Sequence, residues 1–166
     1  MATGNPMATF LPGANEPPTA AFATLDTRNV HPVLDFDGAT DEEAVWTGVL
    51  PSNYGASGLD VNIFCALTSA TSGSIRWQAA IERIDTSSLD VDADSFPAFQ
   101  SAGGIAPGTT GQVIKVTIAF TEGAQMDSLA AGELFRLKIR RDADGTSGTD
   151  DITTDAEVFA VYVEET

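Results

Sequence analysis

The chain has 166 residues, 43% of them hydrophobic, with 24 Asp and Glu against 8 Lys and Arg and a formal charge of −16. That composition can bury one domain-sized core, while the negative field opposes docking on nucleic-acid phosphates or anionic membrane surfaces. No run of about 18 apolar residues offers a membrane-spanning helix, and 15 Gly with 8 Pro punctuate the chain more often than a helical bundle tolerates.

Residues 1–30, MATGNPMATFLPGANEPPTAAFATLDTRNV, show neither helical nor strand periodicity and lack the basic start and continuous apolar stretch of a secretory signal. The chain is therefore expected to be made as a soluble intracellular product. The segment is expected to be an extended N-terminal arm that lies on something other than its own domain. Phe10, Leu11, Phe22 and Leu25 are its apolar anchors, and Pro12, Pro17 and Pro18 stiffen it. These seven residues form the candidate partner-binding set. From about Thr19 to Val30 the arm is free of proline and suited to adding a strand to a neighbour's sheet.

Residues 31–166 are expected to form one domain, and here the pattern changes to period two. Short strands are predicted at 32–37 and 44–50. In LDVNIFCAL, Leu59, Val61, Ile63, Cys65 and Leu67 share one face, with Asp60 and Asn62 opposite. In SIRWQAAIERI, Ile75, Trp77, Ala79 and Ile81 do the same, and TSATSG between the two runs suggests a hairpin. A further strand is possible near 88–92. The inward sets continue with Ile114, Val116, Ile118 and Phe120, then with Phe135, Leu137 and Ile139 against Arg136, Lys138 and Arg140. Between those two strands, GAQMDSLAAG at 123–132 hints at one or two helical turns before a Gly stop. The last strand, EVFAVYVEE, alternates Phe159, Val161 and Val163 with the equally apolar Val158, Ala160 and Tyr162, which predicts neighbours over both faces. About eight mostly antiparallel strands separated by Gly, Pro, Ser and Asp clusters predict an all-β antiparallel sandwich of the jelly-roll kind.

Cys65 is the only cysteine and sits within an apolar strand, so a buried structural thiol is expected. His31 is the only histidine, which excludes multi-His zinc sites. The acidic runs DVDADS (90–95) and DADGTSGTDD (142–151) were tested against the calcium-binding EF-hand loop. From Asp90, Ser95 stands where the loop needs Gly and Ser101 where it needs Glu; from Asp142, Gly145 comes too early and Thr153 ends the loop. Asp142, Asp144, Asp150 and Asp151 could form an irregular oxygen site for Ca²⁺, but both runs are expected to be solvated loops without metal, because Asp and Ser are turn residues. No phosphate-binding loop or catalytic constellation stands out, and neither an enzymatic role nor a cofactor is expected.

The order of FDGATDEEAVWTGVLPSNYGASGLDVNIFCAL, GSIRWQAAIERI, TIAFTEGAQMDSLAAGELFRLKIRRDADG and DAEVFAVYVEE resembles jelly-roll structural proteins of tailed bacteriophages, over residues 32 to 165. The resemblance implies a virion protein, most directly a capsid decoration (cement) protein. Such a protein would stabilise the phage head as a homo-oligomer, often a trimer, with the major capsid protein or another virion protein as partner. It would be located on the capsid surface after synthesis in the host cytoplasm. The alternative is a tail, fibre or head-appendage module that binds host surface carbohydrate. On that reading Tyr54, in a turn, is the best exposed aromatic, while Trp77 belongs to the core and Trp46 could serve either role.

Overall fold

The structure, a computed structural model, describes residues 4–166. Among these residues the chain forms ten strands: β1 (Asn5–Phe10), β2 (Thr24–Arg28), β3 (His31–Phe36), β4 (Glu43–Val49), β5 (Leu59–Leu67), β6 (Ser74–Ile84), β7 (Gln100–Ile105), β8 (Ile114–Phe120), β9 (Leu134–Arg141) and β10 (Ala156–Glu165). One sheet runs β2-β3-β10-β5-β8, with β1 also paired to β10; the other runs β4-β9-β6-β7. Every ladder is antiparallel. The inner faces meet in one core, as the alternation predicts: Leu59, Val61, Ile63, Cys65 and Leu67 from β5 pack towards Ile75, Trp77, Ala79 and Ile81 from β6. The fold is the expected all-β sandwich.

The segment expected to be an arm is built into the larger sheet instead. Met1 to Thr3 lie outside the described residues, but β1 pairs with β10 from Asn5 opposite Glu165 to Phe10 opposite Val161. Met7 and Phe10 are buried, and the Phe10 ring sits 5.8 Å from Trp46 and 6.1 Å from Phe135. Phe10 thus crosses from one sheet to the other. Ordering an arm costs about 1–2 kcal/mol per residue, and here the chain's own sheet and core offset it. β2 and β3 form a two-residue hairpin whose turn residues Asn29 and Val30 take φ of 47° and 69°.

Other differences have local causes. Residues 88–92 form turns, because Asp90 caps its own loop: its carbonyl accepts from the Ala93 and Asp94 N–H groups and its side chain from Asp92 N–H. The expected helix at 123–132 shrinks to a 3₁₀ turn, Ala124–Met126, since Asp127 and Ser128 adopt positive φ and end it. Strand β7, QSAGGI, carries no apolar alternation to reveal it. In β10 a bulge at Phe159 reverses the expected phase, so Val158, Val161 and Val163 point inward while Phe159 and Ala160 are half-exposed.

Two consequences can be measured. Phe10→Ala should cost about 3–5 kcal/mol in chemical denaturation, whereas Leu25→Ala, on the exposed strand β2, should stay within about 0.5 kcal/mol. On β3, burial first, then the nearby Asp155 and Glu157, push the Asp35 carboxyl from 3.8 up to about 6, and its Oδ1 meets no donor. A raised carboxyl pKa penalises the folded state above about 6, and the penalty fades as pH falls towards 3.8. Asp35→Asn should therefore raise Tm near neutral pH, with the gain vanishing in acid. Solvent screening of this half-buried group holds the rise to about 2–4 °C.

Candidate functional site

Three surface features gather chemistry. The first is the acidic end of the sandwich, where the β3–β4 and β9–β10 loops meet. Asp41, Asp142 and Asp144 each place a carboxylate oxygen within 4.8 Å of the others. The surrounding turn already occupies these oxygens. Asp142 Oδ1 accepts from the N–H and hydroxyl of Thr146 at 3.2 and 3.0 Å, and Oδ2 from those of Ser147 at 2.8 and 2.5 Å. Burial works against this carboxylate, yet the Ser147 and Thr146 donors outweigh it and hold the pKa below the usual range. Asp144 Oδ1 accepts from Thr146 N–H, and Asp41 Oδ1 from Asp144 N–H. A Ca²⁺ ion takes 6–8 oxygens; this cluster brings three carboxylates, each already accepting at least one hydrogen bond from its own loops. Of the other aspartates in that run, Asp150 is held by Arg141 and Asp151 accepts from Ser74 N–H, so neither joins the cluster.

The second feature is an apolar groove of about 720 Å³ where the larger sheet splits. β10 pairs with β3 only through Val158, then the Phe159 bulge intervenes, and β1 takes over at Val161. Pro32, which has no N–H to give, stands opposite Thr27 of β2 in the stretch of β3 that β10 leaves unpaired. The gap is lined by Leu11, Pro12, Leu25, Asp26, His31 and Phe159, and the His31 and Phe159 rings meet edge to face at 6.3 Å. Of the seven expected anchors, Leu11, Pro12 and Leu25 therefore share this groove. Pro17 and Phe22 line a smaller hollow beside it with Pro12 and Leu25. Phe10 is in the core, and Pro18 lies elsewhere.

The third is a cleft of about 650 Å³ on the outer face of the smaller sheet. Strand alternation turns Arg136, Lys138 and Arg140 of β9 outward, and each meets an acceptor on a flanking strand or loop. Arg136 Nε is 2.5 Å from Glu82 Oε2, Lys138 Nζ 2.9 Å from Glu43 Oε2, and Arg140 Nε 2.6 Å from Gln78 Oε1. The β6–β7 loop folds two aromatic rings over this ladder. The Phe96 centroid lies 5.0 Å from the Arg136 guanidinium carbon and 4.5 Å from Lys138 Nζ, and the Phe99 centroid 4.4 Å from the Arg140 guanidinium carbon. Pro17 and Pro18 wall the cleft, Glu16 and Asp94 add acceptors, and Val45 forms part of the floor. Sequence reasoning placed the three cations outward but passed over Phe96 and Phe99, two rings in FPAF opposite a cationic strand.

Tyr54 is no exposed platform. Its ring is buried, its hydroxyl accepts from Gly58 N–H at 3.0 Å, and burial pushes the phenol pKa up. Trp46 and Trp77 are buried too, with the Trp46 indole N–H donating to Leu11 C=O. Cys65 lies fully enclosed beside Trp77, and burial drives the thiol to about 12.

No protein-family model matches the chain, and no curated protein matches it. Solved structures do. A family 35 carbohydrate binding module from an environmental isolate superposes with a TM-score of 0.54 at 12% identity, over 95% of this chain and 92% of that one. Carbohydrate-Binding Module CBM36, in complex with calcium and xylotriose, gives 0.52 at 12% identity over 95% and 99%. The CBM36-1 domain of a multidomain xylanase from the hindgut metagenome of Trinervitermes trinervoides gives 0.52 at 8% over 94% and 94%. At such identities the likeness is one of fold. It also corrects the expected kinship: the similar structures are carbohydrate-binding modules, not phage capsid proteins, so the decoration role, the capsid partner and the homotrimer lose their basis. Because the Asp142 turn satisfies itself, chelation by EDTA should leave Tm unchanged within about 2 °C. A fall of about 10 °C, worth on the order of 2–3 kcal/mol, would place a structural cation at this end.

Proposed function

We propose that the chain is a non-enzymatic carbohydrate-binding module whose ligand lies in the Phe96 cleft. The observation that carries this reading is the combination found there: an aromatic ring, hydrogen-bond donors and acceptors in one concavity, on a sandwich similar in fold over 95% of its length to a module solved with xylotriose. Sugar rings have an apolar face and a polar rim. Phe96 offers a surface for the first, and Glu16, Asp94, Ser95, Arg136 and Lys138 offer partners for the second. The cations under the ring are already fixed by Glu82 and Glu43, so a ligand orders few additional side chains. The groups most prone to chemistry stand elsewhere: the only thiol is buried with a pKa near 12, and the only histidine sits at the β2–β3 hairpin.

Calorimetric titration with neutral β-linked oligosaccharides, xylotriose among them, tests the proposal. Phe96→Ala should weaken binding about tenfold, or about 1.4 kcal/mol, with an unchanged Tm. Phe159→Ala, in the apolar groove, should bind as the parent does. Loss of binding in Phe159→Ala alone would move the site to the groove, and absence of binding to any glycan would overturn the reading.

A further inference from the structure

We infer that the Phe96 cleft selects a cationic sugar, a β-linked oligomer of 2-amino-2-deoxy units. This deepens the carbohydrate-binding proposal and rests on it. The argument is one of charge. Two cations line the cleft, Arg136 and Lys138, and each is engaged by a carboxylate from a neighbouring strand, Glu82 and Glu43. Two further carboxylates, Glu16 and Asp94, line the same cleft; among the described residues neither is within ion-pair distance of a cation, and both act on Arg136 only at longer range. Two positive and four negative groups leave the cleft short of positive charge by two.

Hydrogen bonding does not remove the imbalance. Glu16 Oε2 accepts from the Thr47 hydroxyl at 2.8 Å, a neutral donor. Asp94 Oδ1 accepts from its neighbour Ser95 N–H at 2.9 Å, while Oδ2 is enclosed and meets no donor. That oxygen is closed to a ligand, so an ammonium in the cleft would answer the net charge of the Asp94 and Glu16 carboxylates through space, without filling the vacant acceptor. The rest of the loop deepens the negative potential, with Asp90 and Asp92 preceding Asp94 and no basic residue between Arg83 and Lys115. A uronic acid, although it would suit Arg136 and Lys138 by type, would enter a site whose cations are spoken for and whose spare groups repel it. The aromatic ring separates the proposal from a purely ionic patch, since a linear amine has no apolar ring face to lay on Phe96.

Calorimetry at mildly acidic pH, where the sugar amine is protonated, can compare a β-1,4-linked glucosamine tetramer with its N-acetylated counterpart, the neutral glucose tetramer and tetralysine. The glucosamine tetramer should bind at least about tenfold tighter than the two neutral sugars, and added salt should shrink the difference. Asp94→Asn and Glu16→Gln should each weaken the glucosamine tetramer more than the neutral tetramer, so that the ratio of the two affinities falls, and circular dichroism should confirm that both variants are folded. Equal affinity for charged and neutral tetramers would overturn the amino-sugar inference and leave the carbohydrate-binding proposal standing. Tetralysine binding as tightly as the amino sugar would overturn it as well, by showing a nonspecific response to a chain of charge −16. Failure of every sugar would overturn both.

Discussion

The buried pair of Arg141 and Asp150 fixes the end of the sandwich on which the loop geometry depends. The guanidinium holds Asp150 through Nε and Nη2, both at 3.1 Å, and its Nη groups also donate to the carbonyls of Thr154, Ile152 and Asp37. Both side chains are enclosed. Taking two charges out of water costs several kcal/mol each, and the arrangement stands because every donor has an acceptor. One side chain at the end of β9 thereby pins the β9–β10 loop and the β3–β4 loop together. Asp150 also accepts from the Arg76 N–H of β6, which brings the smaller sheet into the same knot. Without it, the turn that encloses Asp142 would have no fixed base.

The opposite strategy operates on the outer face of the smaller sheet. There the ions remain half-exposed, and each cross-strand pair is worth little alone. Their value lies in number and in the covering rings: three cations in alternate positions on β9 meet two phenylalanines from one loop. A fifteen-residue irregular connection whose Leu89 and Val91 stay exposed has little else to hold it on a sheet face. Phe96 and Phe99 provide that hold, and the cleft exists because the loop settles there and not farther out.

The sandwich could be read from the sequence because β5, β6, β8 and β9 place an apolar residue at every second position, as a strand with one face in the core must do. The N-terminal strands could not. β1 reads NPMATF and buries only Met7 and Phe10, three residues apart, because a register shift between Pro6 and Ala8 breaks the alternation. β2 is an edge strand with almost nothing buried, so composition alone made it look like a free arm. Tyr54 misled for a related reason: its turn sequence is polar, yet the turn folds back and inserts the ring beside Met126. The cleft lay outside the reach of periodicity altogether, since the loop that forms it is irregular and its partners lie far along the chain. The acidic run from Asp142 departs from the EF-hand pattern, and Asp41, the third carboxylate of the cluster it joins, comes from another loop that no local motif announces.

The enclosure of Cys65 extends beyond packing. A thiol held near 12 and shut off from solvent offers no thiolate for exchange or oxidation at physiological pH. With no second cysteine in the chain, no bridge within it can form or be reduced. Thiol–disulfide chemistry therefore has no hold on this sandwich: its stability rests on noncovalent contacts, and thiol reductants should find the same molecule.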